Sequence, residues 1–237
     1  MKRIAFFVEG QTEQIFLNRL VKEILGAQHT SILLKQFRGG TNIPKQDITI
    51  IRNIAINPRY EILISDCGSD NRVKSEILDN IASLRKNNYS MIVGVRDLYP
   101  IPIDELPKLE KGLRFLPNSM KDEAGYFDII IAVHEVETWF LADTTHLRKV
   151  DRRLTGSFIK KHLGFDPYAI NPETRKHPAK DLNDIYKLVG KSYTKRHWQV
   201  RKLVNRLDMN YLRNHVRYDL ASLNHLITVL EKFKSRK

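Results

Sequence analysis

Arg3-Ile4-Ala5-Phe6-Phe7-Val8-Glu9-Gly10, running straight on into Gln11-Thr12-Glu13, is the stretch whose reading decides the fold. A short apolar, β-rich run that stops at a glycine reads as a buried strand. Residues 12–25 then place Ile15, Phe16, Leu17, Leu20, Val21, Ile24 and Leu25 at helical spacing, and Gly26 suits the stop. Two basic residues before an apolar run mimic a leader peptide. Glu9 and Gly10 cut that run short and no small-residue cleavage site follows, so a strand is the better reading.

Working outward, the alternation repeats. Residues 31–37 read as a second strand, with a turn at Arg38-Gly39-Gly40. Residues 47–56 are ambiguous, with a helix one reading. Tyr60 to Ser65 is another apolar run, ending in Asp66-Cys67-Gly68. Residues 73–86 have helical periodicity. Residues 90–96 form a strand ending at Asp97-Leu98-Tyr99-Pro100, a polar, proline-marked stretch follows, and Phe127 to Val133 is the most strand-like run of all. Strands alternating with helices predict an α/β fold with a mainly parallel sheet flanked by helices. In such sheets ligands gather at the carboxyl ends of the strands. Here those ends carry Glu9, Asp66, Asp97 and the segment His134-Glu135-Val136-Glu137.

After Asp143 the pattern changes. Prolines at 167, 172 and 178 mark loops, and helices are expected near 179–190, 196–207 and 219–234. The charge changes too. Residues 1–143 hold 18 Lys and Arg against 19 Asp and Glu, whereas residues 144–237 hold 22 against 8. The expected organisation is therefore an α/β domain over 1–143 and a basic helical region over 144–237. A one-sided positive field attracts polyanions, because neutralising phosphates releases their counterions. A basic surface with no specific partner is the bland alternative.

The composition, 42% hydrophobic and 28% charged, is that of a folded soluble protein, and no apolar run is long enough to span a membrane. Cys67 is the only cysteine, so no internal disulfide can form and a reducing, cytoplasmic setting fits.

Several carboxylates brought together repel one another, and a shared hard cation such as Mg²⁺ or Mn²⁺ relieves that repulsion. Glu9, Asp66 and Asp97 are the candidate metal ligands. Glu9, Asp97 and Glu137 are the candidate catalytic residues, with Glu9 also able to act as general acid or base. Strand-end pairing for Glu9 and helix capping for Asp66 and Asp97 are the structural alternatives. His134 beside two acids could ligate metal or relay protons. Glu135 and Glu137 share a face only if the strand continues; they diverge if a helix starts. Trp139, Phe140 and Leu141 read as core. The stretch from Lys191 to Lys202 interleaves bases with Tyr193 and Trp198. Bases stack on such rings while Lys and Arg hold phosphates. Alternatively the stretch is a solvated helix face with Trp198 turned inward.

The Val8-Glu9-Gly10-Gln11-Thr12-Glu13 opening resembles the first motif of Toprim domains, found in topoisomerases, DnaG-type primases and nucleases of the overcoming-lysogenization-defect class. More narrowly, the chain resembles a Toprim-like family of the domain-of-unknown-function series that is grouped with bacterial anti-phage systems. Glu137-Thr138-Trp139-Phe140-Leu141-Ala142-Asp143 is similar to that family's Glu-x-Trp-Phe-Leu-Ala-Asp signature. Pro178-Ala179-Lys180 and Tyr193-Thr194-Lys195-Arg196-His197 are similar to its C-terminal elements. The resemblance implies a Toprim-like fold and a Mg²⁺-dependent endonuclease. It puts the acidic motif on Asp97, 40 residues before the start of the Trp signature at Glu137, whereas strand counting puts it on Asp66. Tyr99 stands where the family's Asp-x-Asp has its second acid, so Asp66 or Glu137 would have to supply the missing oxygen. Lys180, Lys195, Arg196, His197 and Arg201 are expected to contact nucleic acid. The resemblance also implies a defence effector restrained by a partner such as an ABC-type ATPase. This chain has no Walker A motif with which to be that ATPase. A homo-oligomer is allowed. Topoisomerase or primase chemistry is not expected, since the chain lacks room for their extra domains. The rival reading is an inactive nucleic-acid-binding or adaptor subunit whose acidic site has decayed.

Overall fold

Every residue from Ile4 to Val8 is at most 1% exposed. A strand buried on both faces must have its backbone satisfied by neighbours on both edges. The computed structural model, which describes residues 1–39 and 44–236, gives it two. Strand β1 (Lys2–Val8) pairs in parallel with β4 (Tyr60–Asp66) on one side and with β5 (Tyr89–Asp97) on the other. Beyond β4 lies β2 (Thr30–Arg38), also parallel to it, and then β3 (Gln46–Asn53), antiparallel to β2. With β6 (Phe127–Ala132) the six-stranded sheet runs β3-β2-β4-β1-β5-β6. This is an α/β fold with a mixed, mostly parallel sheet flanked by helices.

The chain forms two compact units. The first comprises Met1–Asp97, Asp104–Ile131 and Val229–Lys237. It holds β1 to β5, most of β6, and the helices α1 (Gln11–Leu25), α2 (Asp70–Lys86) and α3 (Leu106–Arg114). The second comprises Leu98–Ile103 and Ala132–Thr228. It is helical: α4 (Glu137–Ala142), α5 (Thr145–Val150), α6 (Gly156–Leu163), α7 (Pro178–Lys187), α8 (His197–Val204), α9 (Met209–Asn214) and the start of α10 (Ala221–Ser235). The charge break at residue 143 falls inside this second unit, just after α4. No described helix is long and apolar enough to cross a membrane.

Helix α1 follows the expected spacing, with Phe16, Leu17, Leu20, Val21 and Ile24 fully buried. Its N-terminus is closed by the Gly10 N–H donating to Glu13 Oε2 at 2.9 Å. Gly10 itself has φ −160°, an extended conformation open to any residue, so the turn does not require a glycine. The segment 47–56, for which helix was one reading, is strand: β3 occupies most of it, with nearly all of its side chains exposed. Its run of Ile48, Thr49, Ile50 and Ile51 is β-branched, and the edge of β2 supplies the hydrogen bonds. The proline-marked stretch after Asp97 contains α3, a helix the sequence reading missed; Pro107 sits in its first turn, where a missing N–H costs nothing. Gly40 of the expected turn lies outside the described residues.

One glycine is needed for space. A Cβ on Gly94 in β5 would lie 2.9 Å from Val73 Cγ1, 3.0 Å from Ile77 Cδ1 and 3.1 Å from Ile129 Cγ1. Val73 and Ile77 belong to α2, which covers β5, and Ile129 to the neighbouring strand β6. Gly94→Ala is expected to lower stability by about 1–3 kcal/mol, the usual cost of overfilling a close-packed core. Urea unfolding followed by far-UV circular dichroism measures it, and an unchanged midpoint would mean that α2 is free to move away.

Candidate functional site

At the carboxyl edge of the sheet, β1 and β5 end side by side. The Glu9 N–H donates to Val95 O at 3.1 Å, continuing the parallel ladder by one rung. The next rung would send the Asp97 N–H to a backbone carbonyl of β1. Instead it donates to Glu9 Oε2 at 3.0 Å. The Glu9 side chain thus closes the ladder, and two acids from strands 88 residues apart are held together at the strand ends. Asp97 is buried, at 6% exposure, and Glu9 is half-buried. The buried Arg96 fastens this end of β5, donating from Nε to Asp97 O at 3.1 Å and pairing through its guanidinium with Asp70 at 2.8 Å. Hard carboxylate oxygens at a strand edge are the donor set that suits Mg²⁺ or Mn²⁺.

Asp66 ends β4 on the other side of β1. Its Oδ1 accepts from Gly68 N at 2.8 Å and its Oδ2 from Gln36 Nε2 at 3.1 Å. Burial raises its carboxyl above the ordinary range, while those two donors and the charge of Arg38 pull it down. Each Asp66 oxygen therefore already holds one protein donor.

The second unit holds a charged network around Lys195. Lys195 Nζ lies 2.8 Å from Glu135 Oε1 and 3.0 Å from Glu137 Oε2. Tyr193 donates its hydroxyl to Glu137 Oε1 at 2.7 Å, and the Ala179 N–H at the start of α7 donates to Glu135 Oε2 at 3.2 Å. The two glutamates do not share a strand face, because β6 has already ended. Glu135 lies in the connecting turn and Glu137 opens α4. They meet on one lysine all the same. Glu137 is fully buried, and burial pushes its carboxyl up; Lys195 and Tyr193 pull it back, while Glu135 adds to the rise. Lys195 has φ +54° and His134 φ +60°. Left-handed backbone at a residue other than glycine costs on the order of 1–3 kcal/mol, and it persists where surrounding contacts demand it. At Lys195 that demand comes from two carboxylates.

The other expected residues fall as follows. His134 Nε2 lies 3.0 Å from Glu173 O, a backbone contact. Trp139 is core, 1% exposed, with its indole N–H on Ser222 Oγ. Lys180 is exposed and paired with Asp184 at 2.6 Å. Arg196, His197 and Arg201 are exposed at the start and along the outer face of α8. Lys195, expected on phosphate, is engaged by the two glutamates. Arg96 is a partner to which the sequence reading gave no role. Tyr193, read there as a ring on which bases could stack, is buried and its hydroxyl is spent on Glu137.

Removing Lys195 would leave Glu137 buried without a counter-charge. Lys195→Met is expected to destabilise by about 2–3 kcal/mol, somewhat less than for a fully buried pair because the lysine reaches solvent. A carboxyl whose folded-state pKa is raised has its stability intact below the unfolded value and loses it as pH rises. The deficit should therefore shrink as pH falls from 8 to 5. Adding Glu137→Gln should recover part of it, since the amide still accepts from Tyr193. Urea unfolding of both single variants and the double at the two pH values decides this. Additive single effects would mean that the pair does not couple.

A family model described as a domain of unknown function, DUF4276, matches residues 8–231. No curated protein and no solved structure matches the chain. The match runs from the end of β1 into α10 and so takes in both units and every carboxylate considered above. The chain belongs to the DUF4276 family.

Proposed function

We propose that the protein is a divalent-metal-dependent nuclease that cleaves phosphodiester bonds in RNA or DNA. The observation that carries this reading is the junction of Glu9 and Asp97 through the last rung of the β1–β5 ladder. Acids from two adjacent parallel strands stand at the edge where such sheets bind their ligands. Glu9 and Asp97 would hold the ion, with Asp66 a further candidate ligand. A bound Mg²⁺ or Mn²⁺ would lower the pKa of a water and neutralise charge developing on the phosphoryl group.

The chain's own residues then have three tasks. The Glu9 carboxylate, held by the Asp97 N–H, keeps a fixed orientation with no side-chain ordering left to complete. Glu137, the acid of the Trp signature, is the third candidate for the reaction, and Lys195 and Tyr193 hold its carboxyl in place. Lys180, Arg196, His197 and Arg201 are exposed bases suited to gripping phosphates. The charge excess of residues 144–237 supports a polyanionic substrate. On this reading the protein works in the cytoplasm as a Toprim-type anti-phage effector, restrained by a separate ABC-type ATPase. Tyr99 favours a second reading, a binding or adaptor subunit without catalysis, because it fills the place of the second acid in the motif the chain resembles.

Incubating purified protein with mixed RNA and DNA, with Mg²⁺ or Mn²⁺ and with EDTA, separates the two. Metal-dependent cleavage is expected, falling roughly 100-fold or more in Glu9→Gln and Asp97→Asn, the scale on which a single transition-state contact counts. In Glu9→Gln the amide oxygen still accepts from Asp97 N, so the fold should persist. Binding by the wild type with no cleavage under any metal would sink the nuclease reading and leave the adaptor.

A further inference from the structure

We infer that the cleft beside α8 seats one unpaired nucleotide, so that the nucleic acid this protein takes is single-stranded where it is bound. This inference rests on the nucleic-acid reading above and names its substrate class.

The cleft measures about 260 Å³ and lies wholly within the second unit, with Tyr186, Lys191, Trp198, Lys202 and Arg206 among the residues around it. Its volume falls below the roughly 300–1,000 Å³ of sites that engulf a drug-sized ligand, which suits one base. The protein has two tryptophans. Trp139 is 1% exposed, whereas Trp198 is 57% exposed. Leaving most of an indole in water gives up one of the largest burial gains any side chain offers. Trp198 and Lys202 lie four residues apart on α8 and therefore on one face, and Arg206 follows just past its end. Among the described residues that line the cleft, none is acidic. The cleft thus sets an aromatic plane beside positive charge.

These parts fit a nucleotide better than a protein segment. A base has a flat face for the indole and carries a phosphate for Lys202 and Arg206. In a duplex that face is stacked on its neighbours, so only an unpaired base can offer it.

The test is done in EDTA, so that binding is read apart from cleavage. Fluorescent single-stranded RNA and DNA oligonucleotides and a blunt duplex of the same length are titrated with the full chain. At least one single strand should bind more tightly than the duplex and quench the emission of Trp198. Trp198→Ala should weaken that binding roughly tenfold while leaving thermal unfolding unchanged. Lys202→Glu should lower the slope of log affinity against log salt by about one. Equal affinity for the duplex, or unchanged affinity in Trp198→Ala, would overturn the inference. If the single strand stacks as expected and the wild type cuts nothing with metal, the nuclease reading falls and this one stands. If the wild type cuts and Trp198→Ala binds as tightly as before, the reverse holds.

Discussion

A strand with no edge of its own is the constraint on which the first unit depends. β1 is buried on both faces and hydrogen-bonded along both edges, to β4 and to β5. Its register sets theirs. Because β5 runs one rung beyond the last backbone pairing, something at the end of β1 must take the Asp97 N–H, since a buried donor left without a partner is costly. The Glu9 carboxylate takes it. The same bond that completes the sheet therefore brings a second acid to the sheet edge. Fold and candidate chemistry meet at one hydrogen bond, to which Asp97 contributes its backbone N–H and Glu9 its side chain.

In the second unit the governing term is the cost of burying charge. Glu137 has no exposure to water, and a carboxylate in that position needs both a counter-charge and hydrogen bonds. Lys195 provides the first and Tyr193 the second, and the chain accepts a left-handed backbone at Lys195 to make the fit. Ion pairs of this kind seldom add net stability over apolar packing. The network built at that expense lies around the Glu-x-Trp signature of the sequence.

Much of the sheet was legible in the sequence. Continuous apolar runs gave the five strands from Arg3, Ser31, Tyr60, Ser90 and Phe127, and helical spacing gave α1, α2, α7, α8 and α10. The missed elements have a shared cause. β3 is an exposed edge strand whose only instruction is its pairing with β2, so local periodicity could not separate it from a helix. The helices α4, α5 and α9, of six residues each, have too few turns to show a period, and prolines near α3 and α6 read as loop markers. At the site, the acids themselves were visible because strand ends are visible. Their partners were not: Tyr193 and Lys195 reach Glu137 and Glu135 across 56 and 60 residues.

By itself the sequence determined what local patterns encode: a buried first strand, the alternation that makes a parallel sheet, acids at strand ends and a basic C-terminal region. Those follow from side-chain period and composition, which need no knowledge of what lies nearby. Only the tertiary structure decided which of those acids meet, which base is spent on a glutamate, and which tryptophan is left in water. Each of these turns on contacts between residues far apart in the chain, and a contact of that kind leaves no period or spacing in a single sequence.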